Sequence, residues 1–98
     1  MNKDWYKVSV DFRDENLTYA CQFEKSLEES VFSKKEDEFI KLLNVRWTGE
    51  DRKKKINVIK LEDYNKDIDS WGNSMYVKRD RIAAVYEVRK DSIFFKNE

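Results

Sequence analysis

Hydrophobic and polar residues alternate at the start of the chain. In WYKVSVDF, residues 5–12, Tyr6, Val8, Val10 and Phe12 fall on one face, and Lys7, Ser9 and Asp11 on the other. Strand side chains point to opposite faces with a period of two, so this run predicts a half-buried strand. Residues 13–16, RDEN, are turn formers. Residues 17–23, LTYACQF, alternate again, with Leu17, Tyr19, Cys21 and Phe23 on one face. The two runs predict a hairpin with a four-residue loop.

The pattern loosens at residues 24–38. Ser26 with Glu29 and Ser33 with Glu36 each have the spacing of a helix capping box, and Leu27, Val31 and Phe32 would form a short apolar face. A short helix or a long loop is expected here. FIKLLNVRWT, residues 39–48, fits two readings. Phe39, Leu43, Val45 and Trp47 would share one strand face, interrupted by Lys41. Phe39, Ile40, Leu42 and Leu43 would equally end a helix begun at Ser33. The β-branched and aromatic tail NVRW favours the strand. GEDRKKK (49–55) reads as a polar turn, INVIKL (56–61) as the return strand and EDYNKDIDSWGN (62–73) as a loop. SMYV, IAAVYEV and a last short run, SIFF (92–95), complete about seven candidate strands.

Between SMYV and IAAVYEV lies a charged break, Lys78–Arg79–Asp80–Arg81. A strand, a short charged turn and an Ile-x-x-Val strand form the closing order of small SH3-like and Sm-like barrels. The chain resembles these over roughly residues 39–95, through Met75, Tyr76 and Val77 and then Ile82, Val85 and Val88. The resemblance lies in apolar positions and bears on fold alone, because small barrels host many unrelated sites. No counterpart of the Gly/Asn RNA-binding loop of Sm proteins is present. The expected fold is mainly β: a small SH3-like or Sm-like barrel, or a bent antiparallel sheet with one short helix.

Composition narrows the function. Ninety-eight residues fit one domain, read as 1–98, with one modest core. Charged residues make up 41% of the chain, well above the usual quarter, so the surface is densely charged. The formal net charge is zero, but residues 1–50 carry −3 and residues 51–98 carry +3. That permits a local basic face without demanding one. The single cysteine excludes an intramolecular disulfide, and neither a signal-peptide core nor an apolar run of membrane-spanning length is present. A soluble, cytoplasmic protein with no membrane contact is expected. The chain has no histidine, no proline and only two glycines. It thus lacks the commonest general base and zinc ligand, and phosphate-cradling glycine loops.

Two basic turns attract attention: Arg52, Lys53, Lys54 and Lys55 in one, and Lys78, Arg79 and Arg81 in the other. If both lay at the same end of the sheet, seven cations would converge, with Trp47 beside them to stack on bases, as single-stranded nucleic acid requires. The competing reading is that such turns keep hairpins soluble and blunt strand edges. Glu50, Asp51 and Asp80 dilute the field and favour it. The acidic run Glu24, Glu28, Glu29, Glu36, Asp37 and Glu38 suits a basic partner, or simply a solvated face. Asp67, Asp69 and Gly72 imitate part of a calcium loop, but Trp71 and Lys78 stand where oxygen ligands belong, so no metal is expected.

Cys21 falls on an apolar strand face with no histidine to activate it, so it reads as core rather than nucleophile. No carboxylate pair stands out for acid–base work. No cofactor and no enzymatic activity are expected. Trp71, in a polar loop beside Gly72, followed by Trp47 and Tyr76, are the expected anchors of a protein interface. The expectation is a non-catalytic accessory protein that binds another protein or a second copy of itself. The Lys-, Asn-, Asp- and Glu-rich, proline-free composition points to a bacterial or phage source, or a mobile element. The alternative is a nucleic-acid-binding regulator using Lys53, Lys54, Lys55, Lys78, Arg79 and Arg81.

Overall fold

The alternation at the start of the chain becomes strand β1 (Tyr6–Phe12), paired antiparallel with β2 (Glu15–Gln22). A computed structural model describes residues 4–32, 39–64, 72–89 and Ser92. The hairpin loop has two residues, not the four expected, because Phe12 pairs directly with Glu15. Arg13 takes a positive φ of 41° there, as the primed turns of tight hairpins require. Polar residues at 15 and 16 therefore extend β2 rather than the turn. Asn16 is held on the strand by donating to Asp11 and accepting from Ser9, each at 2.7 Å.

Half of the first predicted capping box forms, the serine cap without the return bond from the Glu29 side chain. Ser26 Oγ accepts from the Glu29 amide and starts helix α1 (Leu27–Ser30), one turn long. The second box, Ser33 with Glu36, lies outside the described residues. Next comes β3 (Phe39–Glu50), a strand of 12 residues, so the strand reading of residues 39–43 is the observed one. Its inward face differs from the one expected. Ile40 and Leu42 point into the core, and beyond them so do Val45 and Trp47. The parity changes at Asn44, which takes a φ of 52°. Ala20 pairs with Arg46 and Gln22 with Leu43, so β3 carries one residue more than β2 at this point. Such a bulge reverses the in–out order of everything beyond it. Phe39 consequently lies on the outward face and is exposed.

The remaining elements are β4 (Ile56–Lys60), a 3-10 turn (Leu61–Asp63), β5 (Met75–Lys78), a second 3-10 turn (Arg79–Arg81) and β6 (Ile82–Glu87). β4 pairs with Arg46–Glu50, and β5 pairs with Phe39–Leu42, so the two lie one after the other along β3. β6 returns to β1. The strand order is β4-β3-β2-β1-β6, with β5 on β3. The antiparallel sheet is bent but does not close into a barrel: β5 and β6 are joined by the 79–81 turn instead of pairing. A second bulge, at Ala83, explains the Ile-x-x-Val spacing. Val10 faces Ile82 and Val8 faces Val85, so residues three apart reach the same core.

The core sits on the inner face of the bend. Val8, Val10, Cys21, Phe23 and Leu42 are fully buried, and Val31, Leu61 and Val77 close over them from α1 and the two turn-bearing segments. The outer face carries a smaller covered patch, in which Ala20, Gln22, Leu43 and Arg46 are buried. The Arg46 guanidinium lies 4.4 Å from the Trp5 ring centroid. Among the described residues, no helix is long and apolar enough to cross a membrane.

Candidate functional site

The two basic turns do not converge. The 51–55 turn lies at the Glu50 end of β3, and Lys78 pairs with Phe39 at the other end. Roughly 35 Å of extended strand separates them. Trp47 belongs to the first end only. The turn at 51–55 is organised by its own acid. The Asp51 carboxylate accepts from the amides of Lys53 and Lys55, each at 2.9 Å, and Lys54 adopts a φ of 59°. The Lys55 amide, with help from Lys53 and Asn57, holds the Asp51 carboxyl below its usual range. Arg52, Lys53, Lys54 and Lys55 are exposed around this knot. In the second turn, Lys78 and Arg81 are exposed, but Arg79 is half-buried and its Nη1 donates to the Val31 carbonyl at the end of α1. The guanidinium ties the turn to the helix.

Of the three expected protein anchors, the two that the structure describes, Trp47 and Tyr76, are not brought together either. Trp71 lies outside the described residues. Trp47 is half-buried, packed edge-on against Tyr19 at 5.9 Å and Tyr64 at 5.4 Å. Burial pushes the Tyr19 phenol above its ordinary value. Tyr76 pairs with Lys41, six residues before Trp47 on β3, and is 62% exposed. Lys41 Nζ sits 5.9 Å from the Tyr76 ring centroid and 3.4 Å from Glu24, which steadies both side chains.

Tyr76 instead joins two aromatics from distant parts of the chain. The hairpin tip at residues 11–15, the first residue of β3 and the corner between β5 and β6 line one groove of about 630 Å³. Phe12 (41% exposed), Phe39 (59%) and Tyr76 lie along it with the edge of Val77. Its walls diverge from the Val10–Ile82 pair. The hairpin wall carries Asp11, Asp14, Glu15 and Arg13, a formal charge of −2. The other carries Lys78 and Arg81, a charge of +2. Among the described residues, no ion pair links the walls.

The period-two pattern of the sequence places both Phe12 and Phe39 at inward strand positions. Phe12 keeps the β1 stripe's parity but extends past Val10, the last position the core covers. Phe39 is turned outward by the bulge at Asn44. The available signals were weak: an aromatic at the end of a stripe, beside a turn, and a phenylalanine two residues from the misplaced Lys41.

Chemistry is sparse elsewhere. The Cys21 thiol is fully enclosed, and burial pushes it up to about 12, so it is protonated and sealed at neutral pH. The calcium-like stretch falls largely on residues 65–71, outside the described residues. Among the described residues, no three His, Cys, Asp or Glu side chains gather to hold a metal ion. No family model, curated protein or solved structure matches the chain.

Proposed function

We propose that this is a small non-catalytic binding protein that engages another protein through the groove between the β1–β2 tip and the β5–β6 corner. One observation carries the reading: Phe12, Phe39 and Tyr76, from three separate segments, are exposed in a single groove between walls of opposite charge. Scattered exposed apolar residues are ordinary, whereas clustered aromatics rimmed by charge mark interaction surfaces. Aromatic side chains also dominate interface energetics. The high exposure of all three suits a shallow protein contact better than a small ligand, which would be mostly enclosed. The complementary surface presents an apolar side chain flanked by charges of both signs. A bacterial or phage accessory role rests on composition alone.

Selection from a displayed random-peptide library tests the reading. Enriched peptides should carry an aromatic or large aliphatic residue between an acid and a base. Their affinity should fall about tenfold or more with Phe39→Ser or Tyr76→Ser, the scale of a lost aromatic anchor. Lys54→Ala, at the far end of β3, should leave it unchanged. Peptide binding indifferent to Phe39 and Tyr76 would overturn the reading. So would an absence of enrichment combined with DNA or RNA binding that collapses between about 50 and 200 mM salt.

A further inference from the structure

Resting on the groove's role as a protein-binding surface, we infer that its occupant is a second copy of this chain, docked about a two-fold axis through the aromatic floor. The argument starts from charge. The hairpin wall and the Lys78–Arg81 wall carry equal and opposite charge. Among the described residues, Asp14, Glu15, Lys78 and Arg81 have no ion-pair partner. A strongly acidic or strongly basic partner would match one wall and be repelled by the other, and like-charge contacts are costly at interfaces. A neutral surface with its signs arranged in reverse satisfies both. The same groove, rotated by half a turn, is such a surface.

Geometry points the same way. In a two-fold interface every contact occurs twice, with residue i on j and j on i. Glu15 of each copy would face Lys78 of the other, while Phe39 and Tyr76 meet their own counterparts across the axis. Aromatic rings favour offset or edge-on pairing at such distances. The contact closes on itself, so it predicts a discrete dimer and no fibre. Tyr76, already positioned by Lys41, needs little further ordering.

Sedimentation equilibrium of the full chain tests the inference. The wild type should move from 11.9 kDa towards twice that mass as concentration rises. Glu15→Lys and Lys78→Glu should each weaken self-association about tenfold or more, because each places like charges opposite one another at both symmetric contacts. Both sites are exposed, and circular dichroism should show both variants folded. Mixed together, the two should form a heterodimer. The new Lys at 15 then meets the new Glu at 78, and the other contact remains native. A wild type monomeric on the order of 1 mM would overturn the inference. So would a dimer indifferent to both swaps. If the wild type is monomeric but library peptides still depend on Phe39 and Tyr76, the groove binds a different protein and only the self-docking fails. If neither occurs, both readings fail.

Discussion

Asn73 donates a 2.8 Å hydrogen bond to the side chain of Asn44, 29 residues earlier. Asn44 passes the contact on, donating at 2.7 Å to the buried Gln22 of β2. The Val45 amide meanwhile donates to the Asn73 carbonyl at 3.0 Å. These bonds sit where β3 takes its extra residue and changes partner from β4 to β5. Asparagine suits both tasks, because it tolerates positive φ and its amide both donates and accepts. Asn44→Ala should therefore lower stability by about 2–3 kcal/mol, from two lost hydrogen bonds and an unfavourable φ. Asn44→Gly keeps the φ and should cost about 1 kcal/mol. Urea denaturation distinguishes them, and equal losses would remove backbone conformation from the account.

The Trp5–Arg46 stack on the outer face gives a second prediction. Arg46 is 6% exposed, with its guanidinium over the indole. Lysine carries the same charge but lacks the flat group that stacks. Arg46→Lys should destabilise by about 1–2 kcal/mol, and a double-mutant cycle with Trp5→Ala should show coupling near 1 kcal/mol. Additive effects would mean the contact is incidental.

Much of the framework was legible because β1 and β2 obey a strict period of two and Ser26–Glu29 obeys the capping-box spacing. The rest was hidden by single residues. Asn44 and Ala83 each add one residue to a strand, which reverses parity without leaving a composition signal. That is why residues 39–48 fitted two patterns and why Phe39 seemed inward. The groove was illegible for a different reason. Phe12, Phe39 and Tyr76 meet only through the pairing of β3 with β5 and of β1 with β6, which no local window contains. The basic turns show the converse: each is plain in the sequence, yet the length of β3 keeps them apart.

Arg79 separates the structural from the solvated members of Lys78–Arg79–Asp80–Arg81. Its bond to the Val31 carbonyl joins the 79–81 turn to α1, and Val31 is itself a core residue. Arg79→Ala should cost about 1.5–3 kcal/mol, the range for a hydrogen bond from a charged group. Lys78→Ala, exposed next door, should stay within about 0.5 kcal/mol. Comparable thermal midpoints for the two would contradict the tie to the helix.

Cys21 sets the response to alkali. Its thiol is pushed from 9.0 up to about 12 by burial, whereas in the unfolded chain it ionises near its ordinary value. Below that value both states hold the proton, and stability does not depend on it. Between the two values the unfolded state loses the proton and the folded state keeps it. The unfolded state then binds fewer protons, so stability falls as pH rises, with a slope approaching about 1.4 kcal/mol per pH unit. Cys21→Ala lacks this group. It should be less stable than the wild type at neutral pH, because a buried sulfur is replaced by a void. The gap between them should then narrow steadily above about pH 9. Tyr19 is present in both proteins and cancels in the comparison. Urea midpoints measured in parallel from about pH 7 to 11 provide the check. A gap that stays constant across that range would show that the thiol ionises as easily in the folded protein as in the unfolded chain, and that the β1–β2 core admits water.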